Sequence, residues 1–173
     1  MAWMDEVVEH LGAPARQHEV DGWEEVEQKL GACAPADYRS FCDSYGACII
    51  HDFLYVSHPG SSKLNTLEMF ARQSDFLHDL RDSDDPLDQI TRPLMDEGPG
   101  GMLMWGHTDV GDHCFLRPLG EQAWAVCVWY REGEWHESDL SFSEWLQREV
   151  RGIRGECNIL RFREVAPRYL PLA

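Results

Sequence analysis

The sequence predicts an α+β domain, with a mostly antiparallel sheet and helices packed around it. Three observations carry this. Helical periodicity fills the first 46 residues, short β-prone runs fill most of the middle, and one capped helix follows near residue 145. The clearest hairpin signal is Met102-Leu103-Met104-Trp105-Gly106-His107-Thr108-Asp109-Val110-Gly111-Asp112-His113-Cys114-Phe115-Leu116. There an apolar run enters a glycine-rich polar turn and returns as a second apolar run. At 173 residues the chain fits one domain with its own core, read as a single unit over 1–173.

The elements follow in order. Trp3, Val7, Val8 and Leu11 recur at helical spacing until Gly12 and Pro14 stop the run. Asp21 is placed to cap a second helix, with Trp23, Val26 and Leu30 on one face and Gly31 at its end. Glu24 and Glu25 in its first turn suit the helix dipole. Pro35 opens and Gly46 closes a short third helix that turns Tyr38, Phe41 and Tyr45 inward. Cys48-Ile49-Ile50 and Phe53-Leu54-Tyr55-Val56 are β-prone runs separated by His51-Asp52. Leu64, Leu67, Phe70, Phe76, Leu77 and Leu80 then give a mostly helical period over 64–80. The stretch 82–99, broken by Pro86, Pro93 and Pro99, reads as an exposed acidic excursion rather than core. Beyond the hairpin, Trp124 to Tyr130 reads as a central strand and Trp135-His136-Glu137 as a short edge strand after a turn at 131–134. Ser141-Phe142-Ser143-Glu144 has capping-box spacing for a final helix that buries Phe142, Trp145, Leu146 and Val150.

Charge narrows the function. Lys and Arg number 15 against 31 Asp and Glu, a net charge of −16. Nucleic acid and anionic membrane are repelled, while a basic partner is attracted. The N-terminus has acids where a signal sequence needs an apolar core, and no run reaches a membrane span, so a cytoplasmic protein is expected. The 6 cysteines form no C-x-x-C pair and read as reduced thiols, several of them buried.

The hairpin concentrates the polar chemistry. His107, Asp109, Asp112, His113 and Cys114 offer nitrogen, oxygen and sulfur donors suited to zinc or another transition metal. Strand alternation sends neighbours to opposite faces, and no H-E-x-x-H element accompanies them, so no metal and no cofactor are predicted. Cys114 beside His113 is the only adjacent thiol–imidazole pair, and the same alternation separates the two. The hairpin therefore reads as a structural corner. Gly106 and Gly111 supply its backbone freedom, Asp109 and Asp112 bond turn amides, and the histidines sit at the surface. Asp82, Asp84, Asp85 and Asp88 lack calcium-loop spacing, and the arginine-rich tail from Arg148 onward is expected to pack against the acidic body.

The motif order also carries a likeness. Trp23-Glu24-Glu25-Val26-Glu27 with Leu30-Gly31, then Pro35-Ala36-Asp37-Tyr38-Arg39 with Phe41 and Tyr45-Gly46, resembles the start of the SUKH superfamily. Trp105-Gly106-His107-Thr108 with Gly111-Asp112 is similar to its central strand pair. Trp124-Ala125-Val126 through Trp135 resembles its following strands, and Ser141-Phe142-Ser143-Glu144-Trp145-Leu146 its closing helix. The resemblance runs from about residue 20 to about residue 150, and the acidic excursion 82–99 and the arginine-rich tail lie outside it. The superfamily includes bacterial immunity proteins and fungal regulators of cell-wall synthesis. The resemblance implies a non-catalytic binding domain that, in bacteria, neutralises the toxin domain of a competitor, often a nuclease. An acidic inhibitor suits such a target, because a nuclease holds phosphates on a positive surface. The contacts expected are Asp82, Asp84, Asp85, Asp88, Asp96 and Glu97 in the acidic stretch, with Trp105, Asp109 and Asp112 at the hairpin rim. A regulatory or adaptor scaffold is the alternative, and a metal-dependent hydrolase built on the hairpin is the third reading.

Overall fold

Helices form where the apolar spacing allows and end where glycine can turn the chain. The computed structural model describes residues 2–14, 22–81, 94–98, 100–120, 123–160 and 168–172. Helix α1 spans Ala2–Leu11, α2 spans Trp23–Leu30 and α3 spans Ala36–Tyr45. Gly31 closes α2 at φ 66° and Gly46 closes α3 at φ 65°, a region open to glycine without steric cost. Asp21, the cap expected for α2, lies outside the described residues, and Gly22 occupies the N-cap position.

Strands β1 (Cys48–Ile50) and β2 (Leu54–Val56) form the first hairpin, and α4 spans Thr66–Arg81. The cap of α4 is Asn65, whose Oδ1 accepts from the amides of Leu67 at 2.9 Å and Glu68 at 3.3 Å. Then come β3 (Leu103–Thr108), β4 (His113–Pro118), β5 (Trp124–Tyr130), β6 (Glu134–Glu137), α5 (Phe142–Arg151) and β7 (Tyr169–Pro171). All neighbours pair antiparallel in the order β6-β5-β4-β3-β2-β1-β7. The fold is α+β, as the sequence predicts. The capping box of α5 is also present, with the Ser141 amide donating to Glu144 at 3.0 Å and the Glu144 amide to Ser141 at 3.4 Å.

Two features depart from the sequence expectations. The tail returns to the sheet as β7, beside β1, with the Tyr169 ring edge-on to Tyr45 at 4.9 Å. Arg168 pairs with Asp52 and Arg151 with Glu6, so part of the arginine-rich tail does meet the acidic body. The acidic excursion is not exposed throughout. Leu94 and Met95 at its end are fully buried, and Leu94 bridges Met102 in parallel. A single 3-10 turn, Met95–Glu97, follows.

Residues directly opposite in an antiparallel pair share a face, so the register sorts the side chains. Cys114, Leu116, Val126 and Val128 face α5, and Tyr55, His107, His113, Trp129 and Trp135 face the side of α4. A β-bulge makes this possible. Met104 opposes Phe115 and Gly106 opposes Cys114, so Trp105 is an extra residue. Its ring is wholly buried, 5.2 Å from both Phe142 and Trp145 and 6.2 Å from Tyr38. Its carbonyl accepts from the amide and the hydroxyl of Ser57, each at 3.0 Å, and the Ser57 carbonyl accepts the Tyr38 hydroxyl at 2.9 Å.

Two expectations are corrected here. Gly106 is not part of the corner: it sits in strand β3, where a Cβ would lie 2.6 Å from the carbonyl oxygen of Tyr55. Trp105 is not at a rim but in the core. Gly111 alone of the two glycines shapes the turn, at φ 99°.

The C-terminal region is anchored by a buried carboxylate. Glu149, 1% exposed, accepts from the amide of Ile159 at 3.0 Å, from the amide of Leu160, and from the Asn158 side chain. Burial pushes its carboxyl up and those donors offset the push. Gly106→Ala should cost about 2–3 kcal/mol, because backbone must yield to the new methyl. A urea titration checks this against Gly120→Ala, whose Cβ meets nothing within 4 Å and which should be near neutral. Equal midpoints for the two variants would count against the close approach.

Candidate functional site

The register produces a row of rings across five strands. Tyr55 opposes His107, His107 opposes His113, His113 opposes Trp129, and Trp129 opposes Trp135. Tyr55 and His107 stack at 4.9 Å and 7°, and His113 and Trp129 at 4.9 Å and 21°. Helix α4 lies over the middle of the row because Met69, Gln73 and Phe76 recur at i, i+4 and i+7. Met69 Sδ is 3.4 Å from His107 Nδ1, Gln73 Oε1 is 3.1 Å from His113 Nδ1, and the Phe76 ring is 5.6 Å from Trp129. Tyr55 and Trp135, at the two ends, are only half-buried.

The histidines are therefore not both at the surface, as the sequence suggested. His113 is 7% exposed, and burial followed by the nearby His107 pushes its pKa down to about 4. Burial lowers His107 as well. Both rings are neutral at neutral pH, which suits stacking under an apolar helix face.

The corner of the β3–β4 hairpin has a different task. The Thr108 hydroxyl donates to Asp112 Oδ2 at 2.9 Å and accepts from the Asp112 amide at 3.0 Å. Asp112 Oδ1 accepts the Arg131 amide at 3.1 Å, tying this corner to the β5–β6 turn. The Asp109 amide donates to Phe53 in the β1–β2 turn at 3.0 Å. Three turns are thus joined at one end of the sheet.

Of the expected contact residues, the structure leaves Asp109 exposed at this end and withdraws two others from the surface. Trp105 is held by the bulge, and Asp112, 5% exposed, is consumed by its turn bonds. Asp96 accepts the Ser74 hydroxyl at 3.0 Å and lies 3.4 Å from His78, while Glu97 accepts the Leu94 amide at 2.8 Å and pairs with Arg81. Both carboxylates bind the 3-10 turn to α4. Asp82, Asp84, Asp85 and Asp88 lie outside the described residues.

The donor set of the hairpin does not converge. His107 and His113 face α4, Cys114 faces α5, and Asp112 is engaged at the turn. Among the described residues no three of His, Cys, Asp and Glu are gathered as a group that could hold a metal ion. All six thiols are free and five are buried; burial drives Cys114 well above the usual thiol range and Cys48 up to about 12.

Sequence reasoning missed the exposure of Phe76, which stays 45% exposed although it rests on Trp129, while Leu77 is 1% exposed. Adjacent helical residues point about 100° apart, so Phe76 and Leu77 cannot share one environment. That geometry was the available signal.

Fold and surface together define the class: an α+β domain on a single antiparallel sheet, its distinctive surface aromatic and acidic. The model of the SMI1 / KNR4 family (SUKH-1) matches residues 20–148, and the chain belongs to this family. The match takes in α2 through most of α5, including β1 to β6, and leaves α1 and β7 outside. No curated protein and no solved structure matches the chain. Family membership implies protein–protein interaction in a generally non-catalytic domain. No helix among the described residues is long and apolar enough to cross a membrane.

The neutral state of His113 has a pH signature. Its folded pKa is depressed below the unfolded value of about 6.5, so its contribution is fully present above that value. As pH falls from about 6.5 towards 4, the unfolded chain binds a proton that the native state refuses, and stability is lost. Wild-type protein should lose about 2 kcal/mol more than His113→Gln between about pH 7 and pH 5 in denaturant titrations. Parallel losses in the two proteins would refute the buried neutral imidazole.

Proposed function

We propose that this protein is an immunity protein: it binds a cognate bacterial toxin domain in the cytoplasm and neutralises it by occlusion, without catalysing a reaction. The observation that carries this reading is family membership joined to the charge of −16. A toxin that acts on nucleic acid needs a positive surface for phosphates, and an acidic protein competes for that surface directly. Opposite charge also raises the encounter rate, by roughly 10–10³-fold at low salt. That matters for an inhibitor that must reach its target before the substrate is cut. The acidic stretch holding Asp82, Asp84, Asp85, Asp88, Asp96 and Glu97, together with exposed Asp109, is the contact surface proposed.

Co-expression with a toxin domain encoded beside this gene should restore growth and yield a complex on size exclusion. Lack of both complex and rescue would overturn the proposal and leave the regulatory-scaffold reading in its place. Replacing Asp82, Asp84, Asp85 and Asp88 with Lys should slow association at low salt by about 10-fold or more while leaving the melting temperature close to wild type. Unchanged stopped-flow rates would remove that stretch as the steering surface.

A further inference from the structure

We propose that the open end of the aromatic row, formed by Phe76, Trp129 and Trp135, is where a basic segment of a protein partner docks. The existence of such a partner rests on the immunity reading above; the place and the chemistry of contact are new. The first observation is the exposure of Phe76. It is 45% exposed on a helix whose Met69, Phe70 and Leu77 are all at least 95% buried. Contacts with Trp129 and His113 still leave nearly half of the ring in water, and an aromatic patch rimmed by polar groups marks an interaction surface.

The second observation is continuity. The Phe76 ring stands edge-on to Trp129 at 5.6 Å and 65°, and Trp129 opposes Trp135 on β6, a terminal strand of the sheet. Trp135 is half-buried, resting on Phe115 at 5.4 Å. Trp129, 5% exposed, thus links the two more exposed rings, touching Phe76 and standing opposite Trp135 in register.

The third observation is charge. Asp75 and Asp79 flank Phe76 on the exposed side of α4, and Glu132, Glu134 and Glu137 lie in and before β6 around Trp135. Among the described residues no cation pairs with Asp75, Asp79 or Glu132. Glu134 lies 3.3 Å from His136, and Glu137 is 3.1 Å from Arg117. Two exposed guanidiniums are near in sequence: Arg72 reaches Glu68 at 3.9 Å, and Arg131 donates to the Val110 carbonyl at 3.4 Å. Carboxylates still exceed cations, so the patch favours a cation. An arginine fits best, since its planar guanidinium can lie on a ring face while its N–H groups reach the carboxylates around it. The same surplus of negative charge turns nucleic acid away.

The test uses the full chain and a purified toxin domain that co-expression with this protein renders harmless. Phe76→Ala, at an exposed position, should keep its melting temperature and raise Kd by about 10- to 30-fold. Asp75→Lys with Asp79→Lys should slow association by about 10-fold at low salt, an effect that shrinks as salt is added. The same reversal at Glu24 and Glu25 on α2 is the control and should change Kd less than about twofold. If the wild type binds the toxin and both α4 variants bind as well as it does, this surface is overturned and the immunity reading survives. If the wild type itself does not bind, both fall.

Discussion

The bulge at Trp105 and Gly106 sets the arrangement of both faces of the sheet. In regular alternation Trp105 and His107 would share a face. The extra residue breaks that parity, so Trp105 enters the cluster of Tyr38, Phe142 and Trp145 while His107 turns towards Met69. The cost of such an irregularity is a carbonyl left out of the ladder. Ser57 meets that need with its amide and its hydroxyl, and its own carbonyl is taken by Tyr38. Gly106 completes the device by letting the Tyr55 carbonyl come close, which no other residue could allow.

From this follows the row of rings beneath α4. Once His107 faces that side it opposes His113, and the pair extends Tyr55 on one flank and Trp129 and Trp135 on the other. Neutral imidazoles are compatible with burial between stacked rings; two imidazolium ions would not be, because each would lose hydration and repel the other. The contacts of α4 with the row run from Met69 on His107 to Phe76 on Trp129, and Trp135 at the β6 end of the row stays half-buried.

Much of this was legible locally, and the exceptions share a cause. Gly31, Gly46 and the Ser141–Glu144 box mark helix ends because capping is decided within a few residues. The aromatic core positions Tyr38, Phe41 and Trp145 follow from helical spacing alone. Gly106 and Gly111 look alike in sequence, yet one is needed for a positive φ and the other for the approach of a strand more than fifty positions upstream. Asp112 and Trp105 looked like surface candidates because their partners, Arg131 and Phe142, are distant in the chain. β7 is three residues long, too short to carry an alternation of its own. The carboxylates from Asp82 to Asp88 stay a matter of sequence and charge alone.

Charge and aromatic surface would act on different steps of association. Dispersed carboxylates raise the rate of encounter over distances near a Debye length, about 8 Å at physiological salt, but hold a complex weakly because they remain hydrated. Rings near an interface centre exclude water and lengthen the life of the complex. A chain with a charge of −16 and, among the described residues, few exposed large apolar side chains is well supplied with the first and sparing with the second. Under those conditions the few exposed rings matter out of proportion to their area. Val110, Leu119, Ile153 and Leu170 are also exposed, but only Phe76 continues into a row of packed aromatics. Its support by Trp129 and His113 holds the ring in place before any partner arrives, so little side-chain entropy is lost on contact.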